Sequence, residues 1–177
     1  MSQFPNPFPD KQASTDAVKP TWAWTRQKAS RLIAFGFGSG LIRPAPGTWG
    51  TLAAWFIWNL LVPNGLSPWT VGIGLVLAFL LGIWACERAG ADLGVPDHGG
   101  MVWDEMVAFW LVLWLIPDSL MAQAFGFLLF RIFDIAKPAP IRHFDRHLKG
   151  GLGVMWDDIL AAGYVLLIFA AYTYIFD

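Results

Sequence analysis

Residues Trp69–Cys86 read WTVGIGLVLAFLLGIWAC, eighteen positions without a charged side chain. A helix needs roughly 20 apolar residues to cross hydrocarbon, with about 17 as the lower bound, so this stretch points to a helix in contact with lipid. It does not stand alone. No charge occurs from Pro44 to Cys86 or from Ile159 to Phe176, and Asp118 is the only one between Met106 and Phe130. Five apolar runs lie in these gaps: Thr48–Val62, Trp69–Cys86, Trp103–Ile116, Leu120–Ala136 and Ile159–Phe176. The second, fourth and fifth are long enough to span. The first and third are short, and either thin the bilayer or are partly buried by neighbours. The expectation is an all-α, multi-helix membrane bundle of five helices, or of four with one re-entrant segment.

The whole-chain arithmetic agrees. Of 177 residues, 56% are hydrophobic and 14% charged, with eleven Trp and fourteen Phe; mean hydropathy is +0.50. A soluble domain carries about 25% charged residues, so the polar coat is missing. Disorder, collagen-like repeats and a disulfide scaffold are excluded, since Cys86 is the only cysteine.

The charges that remain are placed unevenly. Lys11, Lys19, Arg26, Lys28, Arg31 and Arg43 precede the first run, Arg88 follows the second, and Arg131, Lys137, Arg142, Arg146 and Lys149 close the fourth or follow it. With five alternating helices these regions share one side, which the positive-inside rule makes the cytoplasm. The opposite loops, Pro63 to Pro68 and Pro117 to Ser119, hold no cation. Residues 1–30 are polar and proline-bearing, without the apolar core of a signal peptide, and read as a poorly ordered cytoplasmic tail before a helical domain over 31–177. The short basic loop from Lys137 to Lys149 lies between spans, so anionic head groups suit it better than nucleic acid.

Eight acids cluster near the cytoplasmic helix ends: Glu87, Asp97, Asp104, Glu105, Asp134, Asp145, Asp157 and Asp158. Trp103-Asp104-Glu105-Met106 opens the third expected helix and Trp156-Asp157-Asp158-Ile159 the fifth, while Arg131 and Asp134 share one face of the fourth. An ionised group at mid-bilayer costs roughly 2.5–3.5 kcal/mol, falling near the interface, which places these acids at the cytoplasmic boundary. The helix dipole accounts for one acid per helix start. It does not account for two adjacent pairs, which repel unless a cation lies between them. Mg²⁺, a hard ion that takes carboxylate oxygens, fits such a set.

The segment Gly36-Phe37-Gly38-Ser39-Gly40, followed by Pro46-Gly47-Thr48-Trp49-Gly50-Thr51, either aims backbone N–H groups and the hydroxyls of Ser39, Thr48 and Thr51 at a phosphate or is a bend that admits the chain to the membrane. It is neither a dinucleotide fingerprint nor a Walker loop. His98 is close enough to Asp104 in sequence to join a site, although a loop histidine is more often solvated. Cys86 lacks the arginine that a cysteine-dependent phosphatase loop requires. The strings Pro-Ser-Gly-His, Asp-x-Asp-x-Thr/Val and the Asp-Gly/Ala-Arg pattern are absent, which removes three other classes of phosphate-handling enzyme.

Taken in order, these segments resemble the bacterial phosphatidylglycerophosphatase A family. The resemblance runs from about Arg31 to Gly163. It rests on Gly36–Leu41, Pro46–Thr51, Asp97-His98-Gly99, Val102–Glu105, Phe130–Asp134, Lys137-Pro138-Ala139-Pro140-Ile141-Arg142, Phe144-Asp145-Arg146, Gly150–Gly153 and Asp157-Asp158. Two departures are Pro96, where a histidine is common, and His143, where an aromatic is. The resemblance implies a multi-pass enzyme of the bacterial inner membrane, its site facing the cytoplasm. It would hydrolyse the terminal phosphomonoester of phosphatidylglycerophosphate to phosphatidylglycerol and phosphate with Mg²⁺. Relatives that are all-helical without spans are also known.

On that expectation Ser39, Thr48, Thr51, Arg131, Lys137, Arg142 and Arg146 bind the substrate, with Arg suited to bidentate phosphate contact. Asp104, Glu105, Asp157 and Asp158 hold Mg²⁺, and Asp104, Glu105, Asp134 and Asp158 are the catalytic set. Asp104 orients the attacking water, or a carboxylate forms an aspartyl-phosphate. The partners are the lipid substrate and the anionic bilayer. A small divalent-cation transporter with carboxylates at its cytoplasmic mouth is the alternative, but a conduction path calls for acids at mid-membrane depth. A lipid-binding scaffold would leave the paired carboxylates without a purpose.

Overall fold

The computed structural model describes residues 18–62, 66–139, 141, 148 and 150–176. Among them there is no strand. The elements are α1 (Trp22–Thr25), α2 (Ala29–Ala34), a 3₁₀ segment (Gly36–Leu41), α3 (Pro46–Leu61), α4 (Pro68–Leu93), α5 (Trp103–Leu115), α6 (Leu120–Ala136) and α7 (Gly150–Phe176).

Helix α5 is the axis of the bundle, packing against α3, α4, α6 and α7. Its Met106, Ala108, Phe109 and Val112 are wholly removed from solvent. Two of its three tryptophans tie it to its neighbours. Trp103 Nε1 donates to the Ala78 carbonyl of α4 at 3.0 Å, and Trp110 Nε1 to the Ala54 carbonyl of α3 at 2.8 Å.

The helix ends follow local chemistry. Proline occupies the first turn of α3 and α4, where no N–H is required. Gly94 ends α4 in the left-handed region at φ +72°, its N–H returning to Ala91. Ser119 caps α6 by accepting from the Ala122 N–H at 3.2 Å. Extended Ile116, followed by Pro117, ends α5.

Among the described residues, two helices are long and apolar enough to reach across a bilayer unaided. At 1.5 Å per residue, α4 and α7, with 26 and 27 residues, are about 39 and 40 Å long, against about 30 Å of hydrocarbon. Just 17% of the most apolar window of each is buried within the protein, unlike the core helix of a soluble domain. The row Ile73, Val76, Leu77, Leu80 and Trp84 on α4 is exposed, a contiguous apolar face of the kind that marks contact with lipid. Helices α3, α5 and α6, of 16, 13 and 17 residues, come to about 24, 20 and 26 Å and fall short by themselves.

Two expectations shift. The fifth helix begins at Gly150, nine residues before Ile159. The glycines ahead of the expected start allow α7 to lie against α4, where a Cβ on Gly151 would strike the Ile83 carbonyl. Packing overrides their low helix propensity. The tail boundary at residue 30 also moves, since Trp22–Thr25 already forms a helical turn and Thr25 and Ser30 are buried; residues 1–17 lie outside the described residues. Small residues mark some of the helix contacts: Gly126, Ala161 and Ala162 are buried, whereas Gly74 has open space beside it.

Candidate active site

Three helices bring charged side chains to one place, and a fourth adds a hydroxyl. The first turn of α5 supplies Asp104 and Glu105, the last turns of α6 supply Arg131 and Asp134, the third turn of α7 supplies Asp158, and α3 contributes Thr51. Asp104 and Asp158 are 8% and 4% exposed. The carboxylate of Asp158 is opposed by those of Asp134, Asp104 and Glu105, and that of Asp104 by Glu105, Asp97 and Asp134. Because α7 starts so early, Asp157 and Asp158 stand well beyond its first turn, out of effective range of the dipole. Helix polarity does not explain them.

Arg131 is the cation of the cluster. Its Nη1 lies 3.1 Å from Glu105 Oε1 and 2.8 Å from Asp134 Oδ2, with all three side chains nearly buried. The same nitrogen donates to Thr51 Oγ1 at 3.4 Å, and that hydroxyl donates to the Gly47 carbonyl at 2.8 Å. Thr51 therefore positions Arg131 from below. Arg131 Nε is buried with no hydrogen-bond partner. A guanidinium with one nitrogen pinned by carboxylates and another left without an acceptor is ready for an incoming anion.

The cluster is also rich in acceptors. Asp104 Oδ1, Glu105 Oε2 and Asp158 Oδ2 are buried without a donor. Orphaned carboxylate oxygens are costly in a low-dielectric setting and suit a hard divalent cation. The donor set thus fits Mg²⁺ chemically, although among the described residues no three His, Cys, Asp or Glu side chains stand already gathered as a ligand shell. Asp157 takes a different direction from its neighbour. Its Oδ2 lies 3.2 Å from Lys137 Nζ, joining α7 to the end of α6.

The glycine-rich stretch serves this arrangement by close approach. A Cβ on Gly47 would collide with the Glu105 carboxylate, and one on Gly40 with the Gly100 carbonyl. Thr48 is half-buried in the first turn of α3, and Ser39 Oγ donates to the Gly36 carbonyl at 2.8 Å, closing its own turn. Gly47 is the position in this segment that admits Glu105. Arg142 and Arg146 lie outside the described residues.

Asp97 was not among the expected site residues, yet its charge bears on both Asp104 and Glu105. Its place in Asp97-His98-Gly99, seven positions before Asp104, was the available signal. His98 turns away from a catalytic role: its Nδ1 accepts from the Gly100 N–H at 3.0 Å, and its ring lies against Phe35. Burial, then the Arg43 charge, hold its pKa below the usual histidine value. Glu87 has structural work too, its Oε2 accepting from the Gly151 N–H at 2.6 Å at the start of α7. An apolar groove of about 580 Å³ along α4, between Trp69 and Leu77 and facing Trp114, carries no charged side chain and is not the place for phosphate chemistry.

Comparison with known proteins bears on this geometry. The profile of a family described as phosphatidylglycerophosphatase A matches residues 32–173. A phosphatidylglycerophosphatase A of Haemophilus influenzae is 51% identical over 147 residues, covering 81% of this chain and 88% of its own. One from Escherichia coli is 44% identical over 132 residues, 73% of this chain and 75% of its own. A putative phosphatidylinositol-3-phosphatase of Bacteroides thetaiotaomicron is 41% identical over 145 residues, 78% and 90% of the two chains. No solved structure matches.

Proposed function

The chain belongs to the phosphatidylglycerophosphatase A family, and from that premise we propose that it removes the terminal phosphate of phosphatidylglycerophosphate at the cytoplasmic face of the bacterial inner membrane, using Mg²⁺. The observation that carries the site assignment is the partly unpartnered Arg131 guanidinium among buried carboxylates on α5, α6 and α7. Family membership leaves the cation-transporter alternative without support. The family relative named for a phosphoinositide substrate keeps the same chemistry, a phosphomonoester on a lipid head.

In this reading Arg131 Nε receives a non-bridging oxygen of the terminal phosphate, while Glu105, Asp134 and Thr51 fix the guanidinium so that little ordering is needed on binding. Lys137, held at the rim by Asp157, meets the second phosphate of the head, together with Arg142 and Arg146. Asp104, Glu105 and Asp158 hold the metal, with Asp157 at the margin beside Lys137. Bound Mg²⁺ polarises the phosphoryl oxygens and lowers the cost of the charge that develops during in-line displacement. Asp104 orients the attacking water and takes its proton as the bond from oxygen to phosphorus forms. The bond to the glycerol oxygen breaks, and that oxygen takes a proton from water as it leaves as the hydroxyl of phosphatidylglycerol, while Asp104 gives up its proton to solvent. Asp134, ion-paired to Arg131, keeps the guanidinium in place for the phosphate throughout. The apolar faces of α4 and α7 keep the substrate's acyl chains in the bilayer throughout, with four to five helices crossing it.

The test is phosphate release from phosphatidylglycerophosphate in neutral detergent micelles, with and without Mg²⁺, beside a soluble phosphomonoester. Release that requires Mg²⁺ and favours the lipid is expected. Folded protein that releases no phosphate with any divalent ion would overturn the proposal.

A further inference from the structure

A second polar site lies on the other side of α4. Trp84, Arg88, Ala91 and Asp92 recur at four-, seven- and eight-residue spacing, so they share one face, while the buried Gly82, Cys86, Ala89 and Leu93 form the opposite one. The buried Cys86 thiol on that inner face is within electrostatic reach of Asp104, Asp97 and Asp158. The outer face is therefore turned away from the carboxylate cluster. Together with Lys28, Ala29 and Ser30 it lines a groove of about 540 Å³.

The groove has a built electrostatic floor. Asp92 is gripped by two cations, Lys28 Nζ at 2.7 Å and Arg31 Nε at 2.7 Å, and the Arg31 guanidinium is itself stacked 4.0 Å from the Trp24 ring. One carboxylate shared by two cations leaves an excess positive charge. Arg88 adds a second, exposed and without an ion-pair partner among the described residues. Trp84, also exposed, continues into the apolar row Leu80, Leu77, Val76 and Ile73. Cations, then an indole, then a hydrocarbon-facing strip is the order in which a phospholipid presents its phosphate, glycerol backbone and acyl chains.

We propose that the groove of Lys28, Trp84, Arg88 and Asp92 binds the head-group phosphate of an anionic phospholipid of the cytoplasmic leaflet, at a site separate from the carboxylate cluster. The lipid's negative charge offsets the two uncompensated cations, and its chains cover the exposed row of α4. The occupant is a membrane lipid rather than free phosphate, because the apolar strip has no role for an inorganic ion.

The full chain in neutral detergent tests this by thermal unfolding against added phosphatidylglycerol, phosphatidylcholine and inorganic phosphate. Phosphatidylglycerol is expected to raise the midpoint, while phosphatidylcholine and phosphate do not. Arg88→Gln and Lys28→Gln should each shift the phosphatidylglycerol titration about five-fold to higher lipid, as for a cation near a charged surface, and Arg88→Lys should restore most of it. Arg88 is exposed and lies outside the carboxylate cluster, so the variant's phosphate release in neutral micelles should match the parent's and report an intact fold. Equal stabilisation of the parent and the doubly substituted protein, or stabilisation by phosphate as large as by lipid, would overturn the proposal.

Discussion

Replacing Arg131 by lysine separates the two duties of its guanidinium. Nη1 answers Glu105 and Asp134 at 3.1 and 2.8 Å, and an ammonium can still serve those carboxylates from nearby. Nε, buried without a partner, has no counterpart in lysine. A charge-assisted hydrogen bond is worth about 1.5–3 kcal/mol, so kcat/KM for the lipid should fall about 10- to 150-fold. Arg131→Met is a different experiment. It leaves two carboxylates about 13% exposed and unpaired, at a cost of about 3–5 kcal/mol. At about 2–4 °C per kcal/mol for a chain of this size, the melting point should drop by about 6–20 °C. Steady-state phosphate release and thermal unfolding in the same detergent read the two effects. Wild-type kcat/KM in a folded Arg131→Lys protein would refute the assignment of Nε to the substrate and reduce Arg131 to a brace.

Other outcomes follow from the same geometry. Asp158→Asn, and separately Asp104→Asn, should abolish phosphate release while holding or raising the melting point in the absence of metal, since each removes one charge from a mutually repelling set; a large melting-point fall would mark a structural group instead. Chelation should stop turnover and Mg²⁺ restore it, and in the parent Mg²⁺ should raise the melting point more than in Asp158→Asn. Gly47→Ala should drive the Glu105 carboxylate off its position and lower kcat with little change in helix content, which circular dichroism checks. Gly151→Ala pushes a methyl at the Ile83 carbonyl; overpacking of this kind costs about 1–3 kcal/mol, visible as earlier unfolding.

The helical architecture was legible because a charge-free run of membrane length fits little besides a helix facing lipid, and α5 and α6 begin within a residue of their apolar runs. What misled was glycine. Gly150, Gly151 and Gly153 lie before the expected start of the last helix, and only their close neighbours, the Glu87 carboxylate, the Ile83 carbonyl and the Leu148 carbonyl in turn, show why α7 takes glycine there. The same blindness hid Gly47, which reads as part of a phosphate cradle but makes room for Glu105. The pairing and spacing of the acids and Arg131 drew attention to residues that the structure brings together. The different directions of Asp157 and Asp158 were not legible, because the start of α7 decides how far into the helix they sit. Asp97 was visible as a motif member, but its proximity to Asp104 is a loop contact that no periodicity announces.

The depth of the cluster acts as a gauge. The charge-free stretch of α4 ends at Cys86, and the Cys86 thiol is within electrostatic reach of Asp104, Asp97 and Asp158. With α4 crossing the bilayer, the reacting groups of the proposed site would be level with the edge of the hydrocarbon, at the height where a lipid's own first phosphate rides. A terminal phosphate one glycerol further along a flexible head can bend back to that height without the lipid leaving its leaflet. A phosphate held stiffly far above the surface cannot. Under the proposed function, selection among lipid phosphomonoesters would then depend on how far the head reaches and how readily it folds, and the membrane itself would serve as one wall of the specificity pocket.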